Sequence, residues 1–177
     1  MALFDSAADY ARYRPGIPDE AVRLLAESLA DLERPTLLDL GSGTGQVPAA
    51  LLPAVPRITR VDLVDPDSDM LRTATEQLRP LHGQAVVAFH AVPAESFSAP
   101  ADGYQADLVT CARAFHWLDR PAALRMIDRV SMNPGSPAAG MPVSNRKRAL
   151  LEEYMHGEGL VEDTMFTVLL ARRVGAA

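Results

Sequence analysis

The sequence predicts an α/β domain, a mostly parallel twisted sheet with helices packed over it. Three observations predict it. Short apolar runs, "TLLDL", "RITRVDLVD", "AVVAFHAV" and "ADLVTCA", are separated by segments of helical periodicity. The last of these runs is apolar almost throughout, as a strand covered on both faces requires. The alternation of strand and helix implies parallel pairing through right-handed crossovers. A length of 177 residues, with 48% hydrophobic and 23% charged residues, suits one such domain and argues against disorder.

Each element has a local cause. Residues 19–32 form the first predicted helix, because Ala21, Leu24, Leu25, Leu29 and Leu32 recur at helical spacing behind Pro18 and Asp19. "TLLDL" is a buried strand ending at Gly41, and "VPAALLPAV" a helix whose Pro48 must lie in its first turn. The second strand ends at Asp65, after which Asp67 or Ser68 caps a helix carrying Met70, Leu71, Ala74 and Leu78. A helix over residues 121–130 follows the fourth strand and is closed by Asn133, Pro134 and Gly135. "NPGSPAAGMPVSN" reads as a loop, residues 146–156 as a helix and "MFTVLLARR" as a last strand.

Charge and cysteine usage exclude several functions. A net charge of -6 disfavours a non-specific nucleic-acid binder, whose footprint is basic. Cys111 is the only cysteine, so no internal disulfide forms, and it reads as a small core residue rather than a nucleophile. The first twenty residues are charged throughout and lack the apolar core of a secretory signal. No stretch approaches the roughly 18–20 apolar residues that span a bilayer. A cytoplasmic protein that contacts neither nucleic acid nor membrane is expected. His82, His90 and His156 are isolated, and without a cysteine cluster or HExxH spacing no metal site is expected.

"LLDLGSGTGQ", residues 37–46, carries the chemistry. Each glycine in regular structure costs roughly 0.5–1 kcal/mol relative to alanine, so Gly41, Gly43 and Gly45 together signal a geometric need. Their G-x-G-x-G spacing departs from the dinucleotide fingerprint, and the Lys of a phosphate-cradling Walker loop is absent. Asp39 before the loop would repel a pyrophosphate and attract an ammonium or a sulfonium. Asp65, at the end of the next strand, stands where a carboxylate accepts hydrogen bonds from ribose hydroxyls. The combination suits a nucleoside with a cationic amino-acid tail.

"LLDLGSGTGQ", "VDLVDPDSDML", "FHAVPAESF" and "ADLVTCARAFHWLD", in that order, resemble the successive motifs of class I S-adenosylmethionine-dependent methyltransferases, in the small-molecule branch called type eleven. "YARYRPGIP" resembles the leading segment of that branch, so the resemblance covers residues 8 to about 135. It implies a Rossmann-like three-layer sandwich with an antiparallel C-terminal strand. A single domain over residues 1–177 is implied, with a helical lid segment over 1–34, a cofactor-binding core over 35–135 and a shortened C-terminal part over 136–177. S-adenosylmethionine is the implied cofactor, and a small-molecule methyl acceptor the implied substrate.

The resemblance assigns roles residue by residue. Asp39, Gly41, Ser42, Gly43 and Gly45 would hold the methionine part, the bare glycines letting it lie against the backbone, and Asp65 the ribose. Met70, Ala94 and Glu95 would flank adenine, and Ala112 and Arg113 would line the methionine side. Tyr10, Tyr13 and Arg14 would close over the site. Ordinary structural roles stay open for several of them: Asp65 and Asp39 as helix caps, Met70 in the core, Glu95 and Arg14 facing solvent. His116 in "AFHW" is the candidate base, needed only if the acceptor must lose a proton, with Phe115 and Trp117 as walls. A His-Trp pair that merely packs is the alternative.

The chain departs from the family after "RVSMNPG", where a hydrophobic fifth strand and a variable insertion are expected and "SPAAGMPVSNRKRALLEEY" stands instead. Without that strand an edge of "ADLVTCA" would be left unpaired, a site for intermolecular pairing. Three arrangements resolve it: the final strand takes the slot, a second chain covers it as in a homodimer, or the molecule carries residues this sequence lacks. The shortening also leaves open a protein that binds S-adenosylmethionine without transferring its methyl group. A nicotinamide-dependent oxidoreductase is disfavoured by the glycine spacing and by Asp39.

Overall fold

Strands β1 (Thr36–Leu40), β2 (Arg60–Val64), β3 (Val86–His90) and β4 (Leu108–Thr110) lie parallel in one sheet. The two-residue β5 (Ala171–Arg172) pairs antiparallel with β4, giving the order β3-β2-β1-β4-β5. The structure, a computed structural model, describes residues 16–131 and 171–172. From β1 the chain steps outward through β2 to β3, then returns to place β4 on the other side of β1. Strand order therefore reverses between β1 and β4, and ligands of open α/β sheets bind beyond the carboxyl ends at that point.

The alternation of side chains along each strand sorts the core into two layers. Leu37, Val61, Leu63 and Leu108 face one side, under α1 (Asp19–Ser28), α2 (Gln46–Ala54) and α3 (Ser68–Leu78). Leu38, Leu40, Val64 and Val109 face the other, packing with Met126, Ile127 and Val130 of α4 (Arg120–Ser131). Burying a leucine fully stabilises by roughly 1.5–3 kcal/mol, so each layer supports its helices. None of the described helices is long and apolar enough to cross a membrane.

Boundaries differ from expectation for physical reasons. The first helix stops at Ser28 rather than residue 32, because the chain tightens there: Leu29 N–H bonds Ala26 O and Ala30 N–H bonds Glu27 O, each three residues back. Its buried stripe holds Leu25 and Leu29, while Leu24 is 50% exposed. The fourth strand is three residues long, shorter than "ADLVTCA", because Ala106 N–H turns aside to Val130 O at 2.8 Å. At the other end Arg113 takes a positive φ of 57° and redirects the backbone.

The segment closing α4, the loop after it, the helix over 146–156 and all of "MFTVLLARR" except Ala171 and Arg172 lie outside the described residues. Those two residues meet the edge of β4, Ala171 opposite Val109 and Arg172 opposite Leu108.

Candidate functional site

The site starts from the register of two strands. Asp39 of β1 pairs directly with Thr110 of β4, so both side chains emerge on one face at the point where strand order reverses. Thr110 Oγ1 donates to Asp39 Oδ1 at 2.6 Å. Asp39 is only 1% exposed. Burial pushes its carboxyl up to about 7; the bond from Thr110 opposes the rise and the negative charge of Asp65 adds to it.

The three glycines all have positive φ, of 60°, 52° and 77°, so the loop is wound left-handed at each. Their surroundings differ, however. A Cβ on Gly41 would lie 2.3 Å from the Ala114 Cβ, and one on Gly45 would press on Ala74 and Leu63 at 3.2 and 3.3 Å. Only at Gly43 would a Cβ meet nothing within 4 Å. Two of the bare positions thus serve close packing of protein against protein, and one faces open space.

Asp65 ties this loop to the next one. Its Oδ2 accepts from Gly43 N–H at 2.8 Å and its Oδ1 from Asp67 N–H at 2.9 Å. Asp67, not Asp65, caps α3, taking the N–H groups of Asp69 and Met70 on its Oδ1. A carboxylate with two N–H donors retains further lone pairs, and Asp65 keeps 9% of its surface in contact with solvent.

A small cleft, partly open to solvent, lies between these parts. Asp39, the glycine loop, Gln46 and Val47 from the first turn of α2, Ala112, Arg113 and Ile17 line it. Arg113 Nη2 donates to Gln46 Oε1 at 3.0 Å. Ser42 Oγ and Thr44 Oγ1 are buried with no hydrogen-bond partner among the described residues, and both residues line the cleft. An unsatisfied buried hydroxyl costs about 1–3 kcal/mol, so a polar ligand that bonded them would recover that energy. The residues fit an amino-acid tail: a carboxyl for the ammonium, and two hydroxyls and a helix N-terminus for the carboxylate.

The other sequence candidates lie elsewhere. Met70 is half-buried in the first turn of α3. Ala94 is buried beside Phe97 in the α4 layer, and Glu95 is half-buried in the 3-10 turn Ala94–Ser96. His116 is exposed in the turn Phe115–Trp117, its ring tilted on Trp117 with centroids 4.9 Å apart, and Trp117 is 81% exposed. Tyr10, Tyr13 and Arg14 lie outside the described residues.

A family model described as a methyltransferase domain matches residues 38–135, more than half of the chain and all of this site except Ile17. The chain belongs to the class I S-adenosylmethionine-dependent methyltransferases. The narrower type-eleven resemblance is consistent with the match. An uncharacterised methyltransferase of Mycobacterium tuberculosis is 32% identical over 135 residues, 76% of this chain and 49% of that protein. One from Schizosaccharomyces pombe is 31% identical over 124 residues, 70% of this chain and 45% of that protein. The chain thus spans about half the length of the curated relatives it matches.

Solved structures share the fold at low identity. The YjhP protein of E. coli superposes with a TM-score of 0.57 at 20% identity, over 73% of this chain and 51% of that one. A methyltransferase from Geobacter sulfurreducens, crystallised with S-adenosylhomocysteine, gives 0.53 at 19% identity, over 70% of this chain and 47% of that one.

Sequence reasoning missed five residues of the cleft region, among them Val47, which it read only as part of the helix after the glycines. Thr44 and Gln46 stand inside the glycine motif, where the glycines drew attention from their neighbours. Thr110 matters only through the register that sets it opposite Asp39. Ile17 precedes α1 and carries no local signal.

A second cluster, also unforeseen, lies in the α4 layer. Asp62, fully buried in mid β2, accepts from Arg60 Nε at 2.7 Å, Arg60 Nη2 at 2.8 Å and Tyr104 Oη at 2.9 Å, and pairs with His90 Nε2 at 2.8 Å. Burial, reinforced by the Asp62 charge, pushes the Tyr104 phenol far above its usual range and keeps it a donor. Phe97 meets the His90 and Tyr104 rings edge-on, so the cluster pins the segment carrying the Ala94–Ser96 turn.

Proposed function

We propose that this chain transfers a methyl group from S-adenosylmethionine to a small organic acceptor, and that the cleft at the end of β1 holds the methionine part. One observation carries the reading. A buried carboxyl at Asp39 and two buried hydroxyls with no hydrogen-bond partner among the described residues, Ser42 Oγ and Thr44 Oγ1, line one cleft with Gly43, a glycine with open space beside it.

When bound, S-adenosylmethionine supplies a methyl group on a positive sulfur, ready for in-line displacement. Asp39 offers the tail a negative charge in a site shielded from water, where attraction exceeds that in bulk solvent. Ser42, Thr44 and the first turn of α2 offer donors to the tail carboxylate. Asp65 would use its remaining lone pairs for ribose hydroxyls, and Met70, Ala94 and Glu95 would stand on the adenine side. Orientation supplies much of the barrier reduction, so no covalent enzyme intermediate is required. His116, exposed just beyond Ala112 and Arg113, takes the proton of an acceptor that must lose one, and Trp117 forms a wall beside it. A buried free Cys111, its thiol pushed up to about 12 by burial, suits a reducing compartment such as the cytoplasm.

Calorimetric titration of the full chain with S-adenosylhomocysteine and with NAD tests the cofactor. Binding of the first and not the second is expected, and NAD binding with S-adenosylhomocysteine silent would refute the reading. Asp65→Ala should weaken binding by about 1–3 kcal/mol, the worth of a charge-assisted hydrogen bond. Methyl transfer from labelled S-adenosylmethionine to a panel of small alcohols, amines and carbon acids then tests the acceptor class.

A further inference from the structure

Asp39 stands where a cation would be held, yet its surroundings favour the neutral carboxyl. It is buried and takes one side-chain hydrogen bond among the described residues, from Thr110 Oγ1. A carboxylate buried so deeply stays ionised when a cation or several N–H donors face it. Asp65 has two such donors, Gly43 N–H and Asp67 N–H. Among the described residues, the ionisable groups around Asp39 give no such help. Asp65, from the turn after β2, repels its charge, and the Cys111 thiol just beyond β4 is neutral. Arg113, which lines the same cleft, directs its Nη2 to Gln46 Oε1.

We propose that Asp39 and Thr110 form a proton-exchanging pair that selects a cationic tail: the Asp39 carboxyl keeps its proton until a cation enters the cleft, then releases it to solvent. The inference rests on the cofactor reading above. Its balance is simple: the O–H bond of Asp39 breaks, the electron pair stays on the carboxylate oxygen, the proton passes to buffer and an ion pair forms with the incoming ammonium. Nothing is oxidised or reduced. Thr110 is a positioning residue, because its hydroxyl holds Oδ1 and favours the ionised form that the ligand requires.

The consequence is a pH-dependent affinity with a defined sign. With the carboxyl at about 7, a cationic ligand must displace a proton below that pH and none well above it. Affinity should rise by up to about tenfold per pH unit on the acid side and level off on the alkaline side. A ligand with no positive charge should show no such slope.

Calorimetry of S-adenosylhomocysteine binding to the full chain, at pH 6 in two buffers of different ionisation enthalpy, counts the protons released. Release of about half to one proton per ligand is expected at pH 6 and close to none at pH 8.5. Asp39→Asn should abolish both the release and the pH slope. Thr110→Val should move the midpoint of the pH profile upward, whereas a merely structural loss would weaken binding equally at every pH. Binding at pH 6 without proton release, or release that persists in Asp39→Asn, overturns the exchange and leaves the cofactor reading standing. Failure to bind S-adenosylhomocysteine at any pH overturns both. The proton count needs only the unmodified protein, so a variant that fails to fold does not block the test.

Discussion

Alanine at Gly41 and alanine at Gly43 should fail in different ways, and the difference tests the division of labour within the loop. Both residues have positive φ, so a Cβ at either costs roughly 1–2 kcal/mol. At Gly41 the new methyl also falls 2.3 Å from the Ala114 Cβ, far inside the usual contact of about 3.5–4.0 Å. Relief requires the backbone around Ala114 to move, which adds about 1–3 kcal/mol for overpacking. Gly41→Ala should therefore lose roughly 2–5 kcal/mol of stability in urea unfolding. Gly43→Ala should lose only about 1–2 kcal/mol, because its methyl enters open space. That space belongs to the cleft, so Gly43→Ala should bind S-adenosylhomocysteine at least tenfold more weakly, a difference of about 1.4 kcal/mol. A folded Gly43→Ala protein with the parent affinity would refute the reasoning.

Three further outcomes are expected. Tyr104→Phe removes a donor from the buried Asp62 and should cost about 1–3 kcal/mol in urea unfolding; no change would show that the bond is worth nothing in place. Raising the Asp39 carboxyl from 3.8 to about 7 means the native state binds more protons than the unfolded chain between those values. Its contribution to stability is full below about pH 4 and lost as pH rises through 7, so Asp39→Asn should exceed the parent by on the order of 2–4 kcal/mol at pH 8 and lose that advantage near pH 4. Cys111, buried and neutral, should resist a thiol reagent at pH 8 in native protein and react on unfolding; rapid native labelling would contradict its placement.

The elements were legible because their causes are local. "TLLDL" is a strand because a short, mostly buried run of leucines leads into glycine, and a cap at Asp67 or Ser68 was readable from their place before "DML"; the structure uses Asp67. Asp39 and the glycine loop stood out as a candidate ligand site for the same reason. What escaped notice depends on register and packing. Gly41 and Gly45 are bare because Ala114, Ala74 and Leu63 lie against them, and none of those three is near its glycine in sequence. Thr110 acquires its role from the residue across the sheet, and Leu24 is exposed because the helix shows its neighbour Leu25 to the core. Asp62, an acid amid the apolar residues of β2, gave one cue of a buried network, but besides Arg60 on its own strand its partners come from β3 and from a loop more than forty residues on.

Amide hydrogen exchange with and without S-adenosylhomocysteine tests the central claim most directly, since it reports where on the chain the nucleoside rests. Slower exchange at residues 41–47 and 112–113 is predicted. Unchanged exchange there, with protection instead around Thr75, Arg79 and His82 in the crevice between α3 and β3, would contradict the account.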